Sequence, residues 1–409
     1  MSNTVVLVGA LDTKGQEYAF VRDLIAGEGL ETLVVDFGVM GKPAFTPDIS
    51  REEVAAAAGA DLGYLSSGEH KDEAMEAMAA GLAVVVRRLY DEGRLQGILG
   101  MGGSGGTSIA TRAMRELPVG VPKIMVSTVG GGDVSAYAGS TDITFMPSIV
   151  DVAGINSISR RIYANAAGAI AGAVKVETPP AAEEKPLIAA SMFGNTTEAV
   201  DNARRIMEDR GYEVLVFHAT GSGGRTMESL IRDGFIAAAL DITTTELADT
   251  VCGGVFDAGP ERVQAAPAAG IPTVIVPGCV DMANFWGIDS VPERYRQRNL
   301  YRWNPNVTLL RTNVEENRRI GEMIAAAANL ATGPVAILLP LRGVSMLDSE
   351  GQPFWDPEAD HACFEAIRSH TGGHVDIIEV DANVNDPAFS SVVAQTLLEM
   401  LDDQAQVGS

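Results

Sequence analysis

Cysteine is scarce in this 409-residue chain: Cys252, Cys279 and Cys363 lie far apart, with no CxxC and no Cys/His pairing. That spacing excludes a disulfide framework and a thiolate zinc site, and free thiols in a reducing cytoplasm are expected. Positive charge is short too. Lys and Arg number 30 against 54 Asp and Glu, a net charge of −24. A nucleic-acid backbone needs a basic face, so that partner is excluded, and so is electrostatic attachment to an anionic membrane. No apolar run reads as a membrane span. The uncharged stretch "MIAAAANLATGPVAILLPL" (323–341) has the length for one, but Gly333–Pro334 cuts it into a helix end and a short strand. The opening "MSNTVVLVGALDTKG" lacks the basic start of a signal peptide and runs straight into a strand, so a cytoplasmic location is expected.

What the chain does have is glycine, 44 residues, within a 46% hydrophobic composition that fits α/β packing. Its length favours two domains. A degenerate repeat supports this. "TVVLVGALDTKG" and "ETLVVDFG" in the first half match "PLIAASMFGNTTE" and "YEVLVFHATGSGG" in the second. "GILGMGGSGGT" matches "IAAALDITTTE", and "VPKIMVSTVGGGD" matches "IPTVIVPGCVD". A fifth pair, "DITFMPSIVDVAGINSISRRI" and "NVTLLRTNVEENRRIGEMI", reads as a short strand leading into a long helix. Strands alternating with helices give right-handed crossovers and parallel sheets. The expectation is two Rossmann-like, doubly wound domains, 1–177 and 187–409, joined by a Pro-rich linker at 178–186. The first carries a helical insertion at about 50–92, and the second gains extra strands and helices from Val335 onward.

Ligands of such sheets bind off the carboxyl ends of the strands. In the first domain those ends carry Asp12-Thr13-Lys14, Asp36, Gly102-Gly103-Ser104-Gly105-Gly106-Thr107 and Ser127–Asp133. Read as a phosphate loop, the glycines let amides approach an anion while a helix beginning near Thr107 points its positive end there. No Lys-Ser/Thr follows, so this is not a Walker A loop. Asp36 stands where an acidic residue reaches a ribose hydroxyl, and Asp12 is placed to face a phosphate-bound Mg²⁺. Read as G-x-S-x-G, the same residues present Ser104 as the nucleophile of an acyl hydrolase, although no histidine follows it in the domain. A tight turn without a ligand is the third reading, and a non-catalytic nucleotide-binding regulatory module a further functional class.

Several stretches carry a family resemblance. "LDTKG" (11–15), "GMGGSGGT" (100–107), "VPKIMVSTV" (121–129) and "DVAGINSISRRIYANAAGA" (151–169) resemble the Tm-1-like ATP-binding family, as do "VFHATGSGGRTME", "LDITTTELAD", "VDMANF", "LLPLRGVSMLD" and "DPAF" in the second half. The resemblance spans essentially the whole chain. It implies two Rossmann-like domains, ATP bound in the first, and a dimer. Asp12, Thr13 and Lys14 match the family's first-strand loop, Gly103 through Thr107 its phosphate loop, and Thr128 the loop after the fourth strand. "GGGD" at 130–133 departs from the family's "ASGN"-like pattern.

The second domain's strand ends are rich in hydrogen-bonding groups and point to a separate small-molecule site. Asn195, His218, Arg225, Asp241, Thr243 to Glu246, Asp281, Asn284, Arg342 and Ser345 all fall there. His218 suits a general base, and Arg225 and Arg342 suit bidentate contacts to a carboxylate or phosphate. Glu246 and Asp281 suit orienting His218 or binding a metal. The alternative is that these residues only cap helices. "HTGGH" (370–374) reads as a surface turn, its glycines arguing against a zinc-binding helix. An ATP-dependent or ATP-regulated activity on a small carboxylate or phosphate would use both sites.

Overall fold

The computed structural model describes residues 3–67, 71–177 and 185–407. His70 and most of the expected linker, residues 178–184, lie outside them. The chain divides into two compact units, Met1–Pro180 and Ala181–Ser409.

The first unit runs β1 (Thr4–Gly9), α1 (Leu11–Gly27), β2 (Glu31–Asp36), α2 (Arg51–Ala57), α3 (Leu62–Leu65), α4 (Lys71–Asp91), β3 (Gly97–Gly102), α5 (Ser104–Met114), β4 (Lys123–Ser127), α6 (Ser135–Ala138), β5 (Thr144–Pro147) and α7 (Ser159–Lys175). Its strands form one parallel sheet in the order β2-β1-β3-β4-β5. Side chains alternate across a strand, so each strand feeds two layers. Val5 and Leu7 pack with Tyr18, Val21 and Ile25 of α1 and with Tyr163 and Ile170 of α7. Val6 and Val8 pack on the other face with Val54 of α2, Met78 and Leu82 of α4, and Ile109 of α5. A capping box at Ser50 and Glu53 starts α2.

The second unit continues with β6 (Leu187–Met192), α8 (Thr197–Asp209), β7 (Glu213–His218), α9 (Ser222–Arg232), β8 (Ala238–Thr243), α10 (Thr245–Cys252), α11 (Ala265–Ala269), β9 (Thr273–Gly278), β10 (Met282–Phe285), β11 (Leu300–Asn304), β12 (Val307–Arg311), α12 (Val314–Ala328), β13 (Val335–Pro340), α13 (Pro357–His370), β14 (Asp376–Val380) and α14 (Pro387–Val407). The parallel sheet has the order β14-β13-β9-β8-β6-β7, with α8 and α14 packed against one face. The chain is thus α/β, with two Rossmann-like parallel sheets.

The first four repeat correspondences keep their sheet positions: β7-β6-β8-β9 repeats β2-β1-β3-β4. The fifth does not. β5 is the parallel edge of the first sheet, whereas β12 sits at the centre of a separate antiparallel sheet, β10-β12-β11. β13 takes the fifth place beside β9 instead. The stretch at 323–341 divides between the end of α12 and β13, and among the described residues no helix is long and apolar enough to cross a membrane. "HTGGH" is not wholly a turn: His370 is the last residue of α13 and its Nδ1 lies 2.8 Å from the Ala366 carbonyl.

Candidate functional site

The order β2-β1-β3-β4-β5 reverses direction between β1 and β3, and the crevice of such a sheet opens at that switch. A cavity of about 230 Å³ lies there, lined among others by Asp12, Thr13, Lys14, Met101, Gly105 and Gly106. Tyr18, which the sequence reading missed, holds the two strands at this point. Its hydroxyl accepts from the Met101 amide at 2.6 Å and lies 2.6 Å from the Val8 carbonyl. A side chain at Gly9 would collide with its ring, the nearest carbon 2.1 Å from a built Cβ. Burial drives the phenol far above its ordinary range, so it stays a neutral hydrogen-bonding bridge.

The glycine-rich stretch is more compact than a wide loop. β3 ends at Gly102, Gly103 alone links it to α5, and Ser104 is already the first helical residue. The first helical hydrogen bond is Thr107 N–H to the Gly103 carbonyl, at 2.8 Å. The amides of Ser104, Gly105 and Gly106 therefore precede the helical ladder, at its positive end. A Cβ at Gly102 would lie 3.3 Å from Gly106 Cα, so a side chain there would press on the start of α5.

Thr107 is fully buried, its hydroxyl 2.7 Å from Ser127 Oγ and 2.8 Å from the Gly103 carbonyl. It ties α5 to β4 and does not face a ligand. Thr128 is exposed beside Gly103, and its amide donates to the Gly102 carbonyl. Ser104 is exposed, no described histidine lies in its unit, and it lacks the positive φ of a strained elbow. The nucleophile arrangement is not assembled among the described residues.

The two acidic residues differ in role. Asp36 is fully buried, and its Oδ1 accepts from the Leu11 and Gly38 amides at 3.0 and 2.9 Å. It braces the crevice floor instead of reaching out to a ribose. Burial raises its pKa, the amides oppose this, and the nearby Asp12 charge adds to the rise. Asp12 Oδ2 accepts from the Met40 and Gly41 amides, while its Oδ1 is buried without a partner. Such an orphaned acceptor suits one inner contact to a cation. No cluster of three acidic, His or Cys groups able to hold a metal alone occurs among the described residues. Lys14, at a non-helical break in α1, donates to the Val152 carbonyl at 2.7 Å and lines the crevice. Thr13 points back to the Ala10 carbonyl at 3.4 Å.

In the second unit the strand ends converge, but by binding one another. Glu246 Oε1 accepts from the Gly221 and Gly224 amides at 2.6 and 3.1 Å, and Oε2 from Arg262 Nε at 2.6 Å. Glu246 thus fills the anion position at the start of α9 with the chain's own carboxylate, and is not free to orient His218 or bind a metal. A Cβ at Gly224 would sit 2.2 Å from it. Arg262, also missed in the sequence, is wholly buried and clamps Asp241 with two contacts at 2.5 and 2.7 Å.

Asp281 is buried with Oδ2 accepting from Ser345 Oγ at 2.8 Å and Oδ1 unpartnered. Burial and the Asp348 charge raise its pKa to about 7, against the pull of Arg311. Ser345 Oγ also accepts from the Leu347 and Asp348 amides. The other three candidates face outward. His218, the last residue of β7, stands edge-on to Phe193, ring centroids 5.4 Å apart. Arg225 donates to the Asp257 carbonyl at 2.7 Å, and Arg342 forms a bidentate pair with Asp381 at 2.6 and 3.1 Å. Glu246, Asp281 and Ser345 are therefore internal, and His218, Arg225 and Arg342 superficial.

Comparison with known proteins agrees with two units. Residues 3–179 match the N-terminal domain, and residues 185–401 the C-terminal domain, of the uncharacterised protein family UPF0261. The chain is 48% identical over 403 residues to a UPF0261 protein of Clostridium tetani, covering 98% of this chain and all of that one. It is 38% identical to the ToMV resistance protein Tm-1(GCR237) of Solanum lycopersicum, covering 80% of this chain and 44% of that protein. Among solved structures, a UDP-N-acetylglucosamine 2-epimerase aligns over 68% of this chain and 79% of its own, at 12% identity and a TM-score of 0.23, too low to bear on function. With both domains matched in order and a full-length relative at this identity, the chain belongs to the UPF0261 family.

Proposed function

We propose that the first unit binds ATP, with the phosphates at the start of α5 and a Mg²⁺ between them and Asp12. The carrying observation is that Gly105 and Gly106, whose amides lie at the positive end of α5, border a cavity at the β1/β3 switch. Convergent first-turn amides favour an anion there. The Asp12 carboxylate lines the same cavity, and a bare polyphosphate would meet its repulsion. Asp12, whose Oδ1 has no partner, would hold a divalent cation there, and its charge would offset that repulsion. When bound, the cation would supply charge neutralisation. The residues themselves hold the phosphates, keep Lys14 at the crevice wall and fix the first-strand loop through Asp36.

Thermal unfolding with Mg²⁺ and ATP tests this. Ligand linkage at a hundredfold excess over Kd adds about 2.7 kcal/mol, read as a higher melting temperature. Gly105→Asp places a carboxylate against the phosphates and is expected to erase the shift. A Cβ built at Gly105 meets only the flexible Met75 side chain, Cε at 3.3 Å and Sδ at 3.9 Å, so the fold should persist. Absence of a shift in the wild-type protein with every nucleotide tried would end the proposal.

A further inference from the structure

A second cavity, of about 370 Å³, lies beside the crevice, beneath the helices between β2 and β3. Ala74, Met75 and Met78 form one face of α4 at helical spacing, and Phe37, Leu65 and Ile109 make the opposing walls. Phe37, Met75 and Ile109 line both hollows, so the two are contiguous. Protein interiors rarely leave voids larger than a water, and this one has the size of a small-molecule pocket. Among the described lining residues Lys71 has the only side chain with a charge or a hydrogen-bonding nitrogen or oxygen, and Lys71 and Met40 are both exposed where the cavity meets solvent.

We propose that this chamber binds the unbranched hydrocarbon tail of a medium-chain carboxylate, with the carboxylate held at the rim by Lys71. The walls select the class. A purine brings ring nitrogens and an amino group that cost free energy when buried without partners, and among the described wall residues no side chain but Lys71 at the rim offers one. A hydrocarbon has no such requirement, and methionines adapt to its shape. The site is distinct from that proposed for nucleotide phosphates, and its occupancy does not depend on nucleotide binding.

Isothermal titration of the full chain with butanoate, hexanoate and octanoate tests the assignment. Each pair of added methylenes is expected to tighten binding by about tenfold until the chamber is full. Ala74→Phe fills the chamber from a buried wall position and should weaken octanoate at least tenfold while leaving the Mg-ATP response as in wild type. Should that variant fail to fold, Leu65→Trp on the opposite wall makes the same test. Lys71→Glu should weaken octanoate and leave 1-octanol unchanged. Affinity independent of chain length overturns the proposal, as does wild-type octanoate binding in the filled variant. Equal loss of octanoate and ATP in that variant also overturns it, because the chamber then belongs to the nucleotide. If ATP binds neither protein, the nucleotide reading fails while the chain-length series still decides this one.

Discussion

Arg262 gathers three carboxylates from different elements of the second unit. Its guanidinium contacts Asp241, Glu246 and Glu228, the last at 3.2 Å, and none of the four side chains is more than 6% exposed. Burial alone lowers an arginine pKa, but the Asp241 and Glu246 charges more than reverse this, so the group stays charged. Burial raises the Glu228 pKa against the pull of Arg262. Removing one partner of a buried pair leaves the others uncompensated, which typically costs about 3–5 kcal/mol. Arg262→Met is therefore expected to destabilise the second unit by about 3–5 kcal/mol, read as a lower urea midpoint. A midpoint within experimental error of wild type would mean that the cluster does not hold the strand ends. The local sequence "GPERVQ" gives no hint of this role, because the three carboxylates come from other elements.

At the level of elements, the same device serves the two units differently. In the first, the helix after β3 starts with amides that no side chain of the chain takes up among the described residues. In the second, the helix after β7 starts with amides held by Glu246. One helix start meets no side-chain acceptor among the described residues and the other is occupied internally. In the first unit α2 packs directly on α4. A Cβ at Gly81 would lie 1.9 Å from the Val54 carbonyl oxygen, so the helix backbones touch there. Gly81→Ala should push α2 from α4 and destabilise the first unit by about 1–3 kcal/mol, the range for overpacking, despite alanine's better helix propensity. Chemical denaturation followed by helical circular dichroism checks this, and a stabilised variant would contradict the contact.

For the molecule as a whole, buried carboxyls set the pH response. Asp249 is pushed up to about 8 by burial, against hydrogen bonds from Asn284, and Asp281 to about 7. In the unfolded chain both titrate near 4. Between these limits the folded state holds protons that the unfolded state has released. Their contribution is complete below pH 4 and declines as pH rises towards 8, at about 1.4 kcal/mol per pH unit for each fully unequal group. Stability is expected to fall across pH 5–8, and Asp249→Asn should flatten that slope. The replacement keeps the acceptor for the Asn284 amide, and the unpartnered Asn284 Oδ1 can receive its new donor if that side-chain amide turns over. Urea midpoints at intervals across the range measure it; an unchanged slope would exclude Asp249 as a source.

The sequence by itself determined the alternation of strands and helices and hence the two parallel sheets. Those properties follow from local periodicity and from the handedness of βαβ crossovers. It also placed the glycine-rich turn and Asp12 at neighbouring strand ends. Tertiary structure alone decided which polar groups remain available. Asp36, Thr107, Glu246, Asp281 and Ser345 lie at strand ends like the others, yet each is turned inward onto backbone amides or onto side chains distant in sequence. It also decided that β12 leaves the parallel sheet, since a strand's partners depend on long-range pairing that its own residues do not encode. Tyr18, Arg262 and the chamber under α4 belong to the same class: each exists only because segments remote in the chain converge, which no spacing in one sequence can display.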